Sequence, residues 1–215
     1  NLVKAGLRVA LVEALDQGLA PLDGEMAQLL HNELIAKGVD LHLGDGVESF
    51  EEKGKGLLVR LNSGESINAD FAVLSIGVRP NSSLAKECGL KLGRRGGVVV
   101  DGHMRTSDPC IYAVGDVIEV EEFTFKEPAM IALAGPANKQ GRIAADNIAG
   151  WDEEYHGTQG ASVLKLFDRT AAFTGVNEKT LIKRGLKKGA DYESVTILQN
   201  HHAGYYPGAE PMVIK

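Results

Sequence analysis

The feature that most restricts the fold is the alternation of strand and helix signals over residues 1–43. Residues 7–12 (LRVALV) are β-rich and mostly apolar without a polar alternation, the pattern of a parallel strand buried on both faces. Glu13 ends that run. Residues 24–37 place apolar side chains at Met26, Leu29, Leu30, Leu34 and Ile35, a helical spacing. Gly38 then caps the helix, and residues 39–43 (VDLHL) read as a second strand. Residues 1–5 read as the last turn of a preceding helix, with Gly6 as its left-handed cap. Crossovers this short build a parallel sheet with helices on its faces, so the class is α/β.

Beyond that point the pattern changes twice. Residues 47–73 alternate polar and apolar positions, separated by Gly54-Lys55-Gly56 and Asn62-Ser63-Gly64-Glu65, which predicts an antiparallel meander with tight turns. Residues 71–76 (FAVLSI) are expected to form a buried strand, broken by Gly77-Val78-Arg79-Pro80-Asn81. A second unit is expected over about 80–150, closed by an alanine-rich helix from about 128 to 148. Gly150-Trp151-Asp152-Glu153-Glu154 is the best linker. The third unit, about 155–215, carries strand signals at 162–167, 171–175 and 194–199. A helix over 177–184 lies among them, capped by Asn177 and closed by Gly185. The sequence holds neither internal repeats nor a low-complexity tract.

Composition removes several classes. Acidic residues number 29 against 23 basic ones, a net charge of −6, which is the wrong sign for a nucleic-acid partner. No uncharged apolar run reaches the roughly 18–20 residues a bilayer requires, so no membrane partner is expected. Cys88 and Cys110 are too few for a disulfide framework or a four-thiolate zinc site, and no metal is expected. A reducing, cytoplasmic location is the simpler expectation. The chain opens on Asn1 and closes on Met212-Val213-Ile214-Lys215, a strand in mid-course, so both ends are expected to be internal to a longer protein.

Three places carry chemistry. Glu13 stands just past a strand of the βαβ pattern; if the unit binds a nucleotide, an acid there accepts hydrogen bonds from an adenosine ribose and repels a 2′-phosphate. A solvated strand end is the plain alternative. Gly77 begins a turn at the carboxyl edge of a sheet, where a ring can approach backbone closely, although an interdomain turn would look the same. Asp116 ends Ala113-Val114-Gly115, small residues that leave room for a polyol or diphosphate beside an acceptor. An Asx turn or helix cap is the alternative there.

Residues 106–116 (TSDPCIYAVGD) closely resemble the second flavin-binding motif of the pyridine nucleotide–disulfide oxidoreductases. Residues 75–81 (SIGVRPN) resemble the segment joining the NAD and FAD domains in that family, and residues 1–13 resemble the helix and strand that follow its NAD glycine loop. Residues 202–209 (HAGYYPGA) resemble the interface domain of one branch: the coenzyme A–disulfide reductases with related NADH oxidases, peroxidases and polysulfide reductases. The resemblance covers essentially the whole chain in family order. It implies Rossmann-like NAD and FAD domains followed by an α+β dimerisation domain. These would be residues 1–79, an NAD(P)-binding domain lacking its first strand and glycine loop; 80–152, the second FAD segment; and 153–215, the start of the dimerisation domain.

The resemblance further implies a homodimeric enzyme using FAD and NADH, with coenzyme A disulfide or polysulfide as the thiol-type substrate. Carried over residue by residue, Glu13 would contact the NAD ribose and Gly77 would lie along the nicotinamide path. Gly115 and Asp116 would bind the ribityl–pyrophosphate region of FAD, and Leu133 and Ala134 would offer backbone N–H groups to the flavin edge. Asn138 and Lys139 would face coenzyme A, while Tyr205 and Tyr206 would reach the partner's active site. The family's redox cysteine matches neither Cys88 nor Cys110, and both dinucleotide glycine loops are missing. Three other readings stand beside this one: an inactive nucleotide-binding or dimerising fragment, an NADH oxidase without thiol chemistry, and a ferredoxin or rubredoxin reductase. The last predicts a different interface domain.

Overall fold

Strand β1 (Ala10–Glu13), helix α1 (Gly24–Ala36) and strand β2 (Asp40–Leu43) form a βαβ unit. The two strands pair in parallel, Ala10 opposite Asp40 and Glu13 opposite Leu43. The computed structural model describes residues 1–215. Helix α1 buries Ala27, Leu30, His31 and Leu34, the three-and-four spacing of one helical stripe. Burial of a leucine side chain contributes roughly 1.5–3 kcal/mol, so this stripe fixes which face of α1 turns inward. Gly38 leaves the helix at φ +78°, and Gly6 closes the short turn Val3–Ala5 at φ +83°, as the two capping glycines predict.

Strands β3 (Val47–Lys53), β4 (Gly56–Leu61) and β5 (Ser66–Ala69) form the antiparallel meander, in the order β3-β4-β5. Its central strand supplies Val59 and Leu61, both buried. The next segment departs from expectation. Residues 71–76 form no strand, and Phe71, Val73, Leu74 and Ile76 are 55%, 68%, 65% and 88% exposed. The sheet of β1 and β2 has two strands only, so 71–76 finds no neighbour for its backbone and no cover for its apolar side chains.

Helix α2 (Ser83–Glu87) precedes a three-stranded sheet of β6 (Val98–Val99), β7 (Ile118–Glu121) and β8 (Pro128–Ala129). Strands β6 and β7 are parallel, β7 and β8 antiparallel. The expected helix start at 128 is therefore wrong: Pro128 and Ala129 pair with Glu121 and Val120, and α3 runs Ala134–Ile148. The small-residue run before Asp116 stays outside the sheet. Tyr112 makes a single bridge to Arg105, and Gly115–Val117 is a 3-10 turn. Val98, Met104, Ile118, Val120, Ile143, Ala144 and Tyr155 form the core beneath α3. Buried Asn147 ties the end of α3 to the following segment, donating to Glu153 O (2.8 Å) and accepting from Glu153 N (3.2 Å).

Strands β9 (Ser162–Leu166) and β10 (Arg169–Phe173) form a two-stranded sheet. Helix α4 (Glu178–Lys183) follows, its N-cap Asn177 accepting from Thr180 N at 2.9 Å as its residue type predicts. Strands β11 (Ile197–Asn200) and β12 (Pro211–Ile214) pair antiparallel, with Asn200 opposite Pro211. The chain divides into two compact units, one of residues 1–74, 164–171 and 176–215, the other of 75–163 and 172–175. No helix is long and apolar enough to cross a membrane.

Candidate functional site

In the first unit the candidate begins at the carboxyl end of β1, where a parallel sheet offers its ligand-binding edge. Glu13 is half-buried there, and its Oε1 accepts from Leu15 N at 3.0 Å. Its second carboxylate oxygen has no partner in the chain, which leaves it open to a hydroxyl. The loop of residues 14–23 follows. Its backbone is held by buried His31, whose Nε2 accepts from Gly18 N (3.2 Å), and by buried Gln17, whose Nε2 donates to Leu22 O (3.0 Å). Leu19 sits at φ +59°, a conformation a leucine adopts only where its surroundings impose it.

The same unit gathers Asp23, Glu25 and Glu178, whose carboxylates lie within 4.8 Å of one another, around the ammonium of Lys215. Lys215 Nζ is 2.9 Å from Asp23 and 2.6 Å from Glu178, and it also meets Glu25. Burial pushes Asp23 up, but hydrogen bonds from Lys215 and from the amides of Lys179 and Glu178 outweigh it and hold the carboxyl below its usual range. Lys215 and Lys188 hold Glu178 down to about 2. Burial disfavours the Lys215 ammonium, yet its three carboxylate partners raise its pKa above the ordinary lysine value. The cluster carries its own cation.

In the second unit Asp116 faces a cavity of about 550 Å³, lined also by Arg79, Ser82, Arg95, Met130 and Ala132. Gly115 turns the chain there at φ +81° and donates its N–H to Oε1 of fully buried Gln140 (2.8 Å). That bond anchors the turn on α3 and leaves the Asp116 side chain outside the core with no internal partner. Gly77, at φ +91°, leads into the cavity wall at Val78 and Arg79 but does not itself line it. Leu133 is the N-cap of α3 and Ala134 its first residue. Leu133 N–H is already directed at Ile131 O (3.0 Å), so Ala134 is the member of the pair with an unengaged amide. Pro136 in the first turn lacks a donor where the helix has no use for one.

The structure thus brings Asp116, with Ala132 just ahead of Leu133 and Ala134, to one cavity. It does not bring the other expected residues there. Asn138 and Lys139 are exposed on α3, and Lys139 Nζ stands 5.9 Å from the Tyr155 ring centre. Tyr205 is 91% exposed, and Tyr206 stacks on His202 at 4.9 Å in the loop between β11 and β12. Cys88 and Cys110 are exposed and unpaired. The sequence reading missed Arg79 and Arg95, which meet no acid and make no hydrogen bond in the chain, although both line the cavity with Asp116. A signal was present: Arg79 stands in SIGVRPN, and Arg95 belongs to an arginine pair set among glycines at 93, 96 and 97.

A parallel βαβ unit with an acid at its strand end places the chain among the α/β proteins whose sheets offer a ligand edge at the strand ends. The pyridine nucleotide-disulphide oxidoreductase family model matches residues 1–143, and the chain belongs to that family. It is 31% identical over 216 aligned residues to a coenzyme A disulfide reductase of Staphylococcus aureus (strain JH9), covering 100% of this chain and 47% of that protein. The chain therefore spans about half the length of the curated relatives it matches. It superposes on reduced CoADR-RHD from Bacillus anthracis with a TM-score of 0.92 and 48% identity, over 99% of this chain and 37% of that one. A NAD-dependent persulfide reductase from A. fulgidus gives a TM-score of 0.91 and 36% identity, over 96% of this chain and 38% of that one. The fold is accordingly the α/β, Rossmann-like fold of these flavin–nicotinamide oxidoreductases.

Proposed function

We propose that this chain forms the NAD-facing part and one FAD-facing segment of an enzyme that moves electrons from NADH through FAD to a cysteine centre, and on to coenzyme A disulfide or a persulfide. The observation that carries this reading is the cavity of Asp116, where a carboxylate without an internal partner stands beside two unpaired guanidiniums. Such a set fits a ligand with hydroxyls next to a diphosphate: the acid accepts from hydroxyls, and guanidinium forks match phosphate oxygens. Gly115 and Asp116 would hold the ribityl–pyrophosphate region of FAD, and the Ala134 amide at the start of α3 would favour negative charge there. FAD supplies the relay between two-electron hydride transfer and thiol–disulfide chemistry.

Glu13 then selects the nicotinamide cofactor. Its free carboxylate oxygen accepts from a ribose hydroxyl and repels a 2′-phosphate, so NADH is preferred over NADPH. Gly77 leaves the nicotinamide path clear, since no neighbouring atom lies within 4 Å of where its side chain would be. In this reading residues 1–79, 80–152 and 153–215 are the NAD domain, the second FAD segment and the start of a dimerisation domain. The protein is a cytoplasmic homodimer: Tyr205 and Tyr206 serve the partner's active site, Asn138 and Lys139 face coenzyme A, and the thiol lies outside this chain.

Stopped-flow reduction of the full-length protein by NADH, read at the flavin absorbance, tests the reading. Rapid reduction followed by reoxidation with coenzyme A disulfide or polysulfide is expected. Reoxidation by oxygen alone would make it an NADH oxidase without thiol chemistry, and no reduction at all would make it an inactive binding or dimerising protein.

A further inference from the structure

The loop that follows Glu13 is fastened from a distant part of the sequence. Asn177 Nδ2 donates to Pro21 O at 2.9 Å, and Lys179 Nζ donates to Ala20 O at 3.0 Å. The amides of Glu178 and Lys179 donate to the two carboxylate oxygens of Asp23 at 3.1 and 3.0 Å. Asp23 is the N-cap of α1, yet its side chain makes no bond to its own helix. It caps α4 instead, and Lys215 holds it there. Within the loop Leu19 keeps a left-handed backbone that its own residue type does not favour. Internal bonds from Gln17 and to His31 brace residues 17–22, but the segment 20–23 is fixed by α4 and Lys215.

We propose that Asn177, Lys179 and Lys215 are positioning residues for the nucleotide loop, so that affinity for NADH is set in part by contacts 155 or more residues downstream. The proposal rests on the reading of Glu13 as the ribose acceptor. The Glu13 carboxylate takes its orientation from Leu15 N–H, the second residue of the loop. A loop released at its far end samples more conformations, and nucleotide binding must then order it. None of the three side chains touches a reacting atom, so the effect falls on binding and leaves the chemical step alone.

The test uses the full-length flavoprotein with two variants. Lys179→Ala removes the donor to Ala20 O but keeps both backbone bonds to Asp23. Asn177→Asp keeps an oxygen to cap α4 and loses the donor to Pro21 O. Each is expected to raise the equilibrium Kd for NADH by about 3–10-fold, the worth of one hydrogen bond. The limiting rate of flavin reduction should stay within about twofold. Lys179→Arg, which still reaches a carbonyl, should restore affinity. Amide hydrogen exchange at Gly18 and Leu22 should quicken in the two weakened variants. Unchanged Kd in both variants overturns the proposal, whatever the exchange shows. Equal loss of Kd and limiting rate also overturns it, because a general disturbance would explain both. If the unsubstituted protein binds no NADH, the Glu13 reading fails and the proposal falls with it; if it binds NADH and the variants match it, the proposal alone fails.

Discussion

The clusters around Lys215 and around Asp116 use similar residue types and are finished in opposite ways. Around Lys215, three carboxylates surround one ammonium that is 11% exposed, and Tyr192 and Lys188 add further bonds to Glu178. Around Asp116, two guanidiniums share a cavity with one carboxylate and bond to nothing. Charges satisfied from within hold the chain together; charges gathered without partners are available to a ligand. The difference separates residues whose loss weakens the fold, and binding only through the loop they fasten, from residues whose loss removes a contact open to a ligand.

The comparison breaks most visibly at Lys215. Lys215→Met would leave buried Asp23 and its neighbour Glu25 without a counter-charge, while Glu178 keeps Lys188. The expected cost is about 3 kcal/mol in urea unfolding, in the range for a buried pair that loses one partner. Flavin retention by the folded fraction should be unaffected. Asp116→Ala should do the reverse. FAD affinity should fall about 10–100-fold, the scale of hydrogen bonds to a charged group, with the unfolding midpoint unchanged because Asp116 holds nothing inside the chain. Titration of the apoprotein with FAD checks this. Arg95→Gln should weaken FAD by about 3–10-fold, as expected for one partly exposed charge-assisted contact, and the loss should shrink with added salt.

The smallest effect is on the pH axis. Glu178 lies at about 2 in the folded chain against 4.5 for the free group, so its stabilising contribution is present above pH 4.5 and disappears as pH falls toward 2. Lys215 runs the other way: its pKa is raised, so its contribution is complete below 10.5 and is lost only at higher pH. Thermal melts between pH 6 and pH 2 should therefore show a decline that Glu178→Gln makes shallower, on top of that variant's own loss, with Asp23 supplying part of what remains.

How much of this was legible in the sequence depended on how far apart the partners lie. The β1–α1–β2 unit in outline, though not the burial of β1 on both faces, the meander, the Gly6 and Gly38 caps and the Asn177 cap follow from short-range patterns. The strand expected at 71–76 did not form, because an apolar run predicts a strand only if a neighbour exists to pair with it. The start of α3 was set too early because Pro128 reads as a helix-initiating residue, whereas Glu121 recruits it into a sheet. Asp116 was found through its motif, but its company in Arg79 and Arg95 was not, since nothing local ties residues 79, 95 and 116 together. The fastening of the loop after Glu13 was also invisible. Asp23 looks like an ordinary helix cap, and its partners are 155 and more residues away.

That last separation has a consequence for how the molecule comes into being. Glu25 and Lys215 are 190 residues apart. At roughly 5–20 residues per second, the ribosome takes on the order of 10–40 s to deliver the lysine after Asp23 and Glu25. Until Asn177 and Lys179 emerge, β1, α1 and β2 can already associate while the loop behind Glu13 has no clasp. A nascent chain would display β1 and β2 already paired beside a loose loop, and the clasp would be complete only as synthesis reaches Lys215.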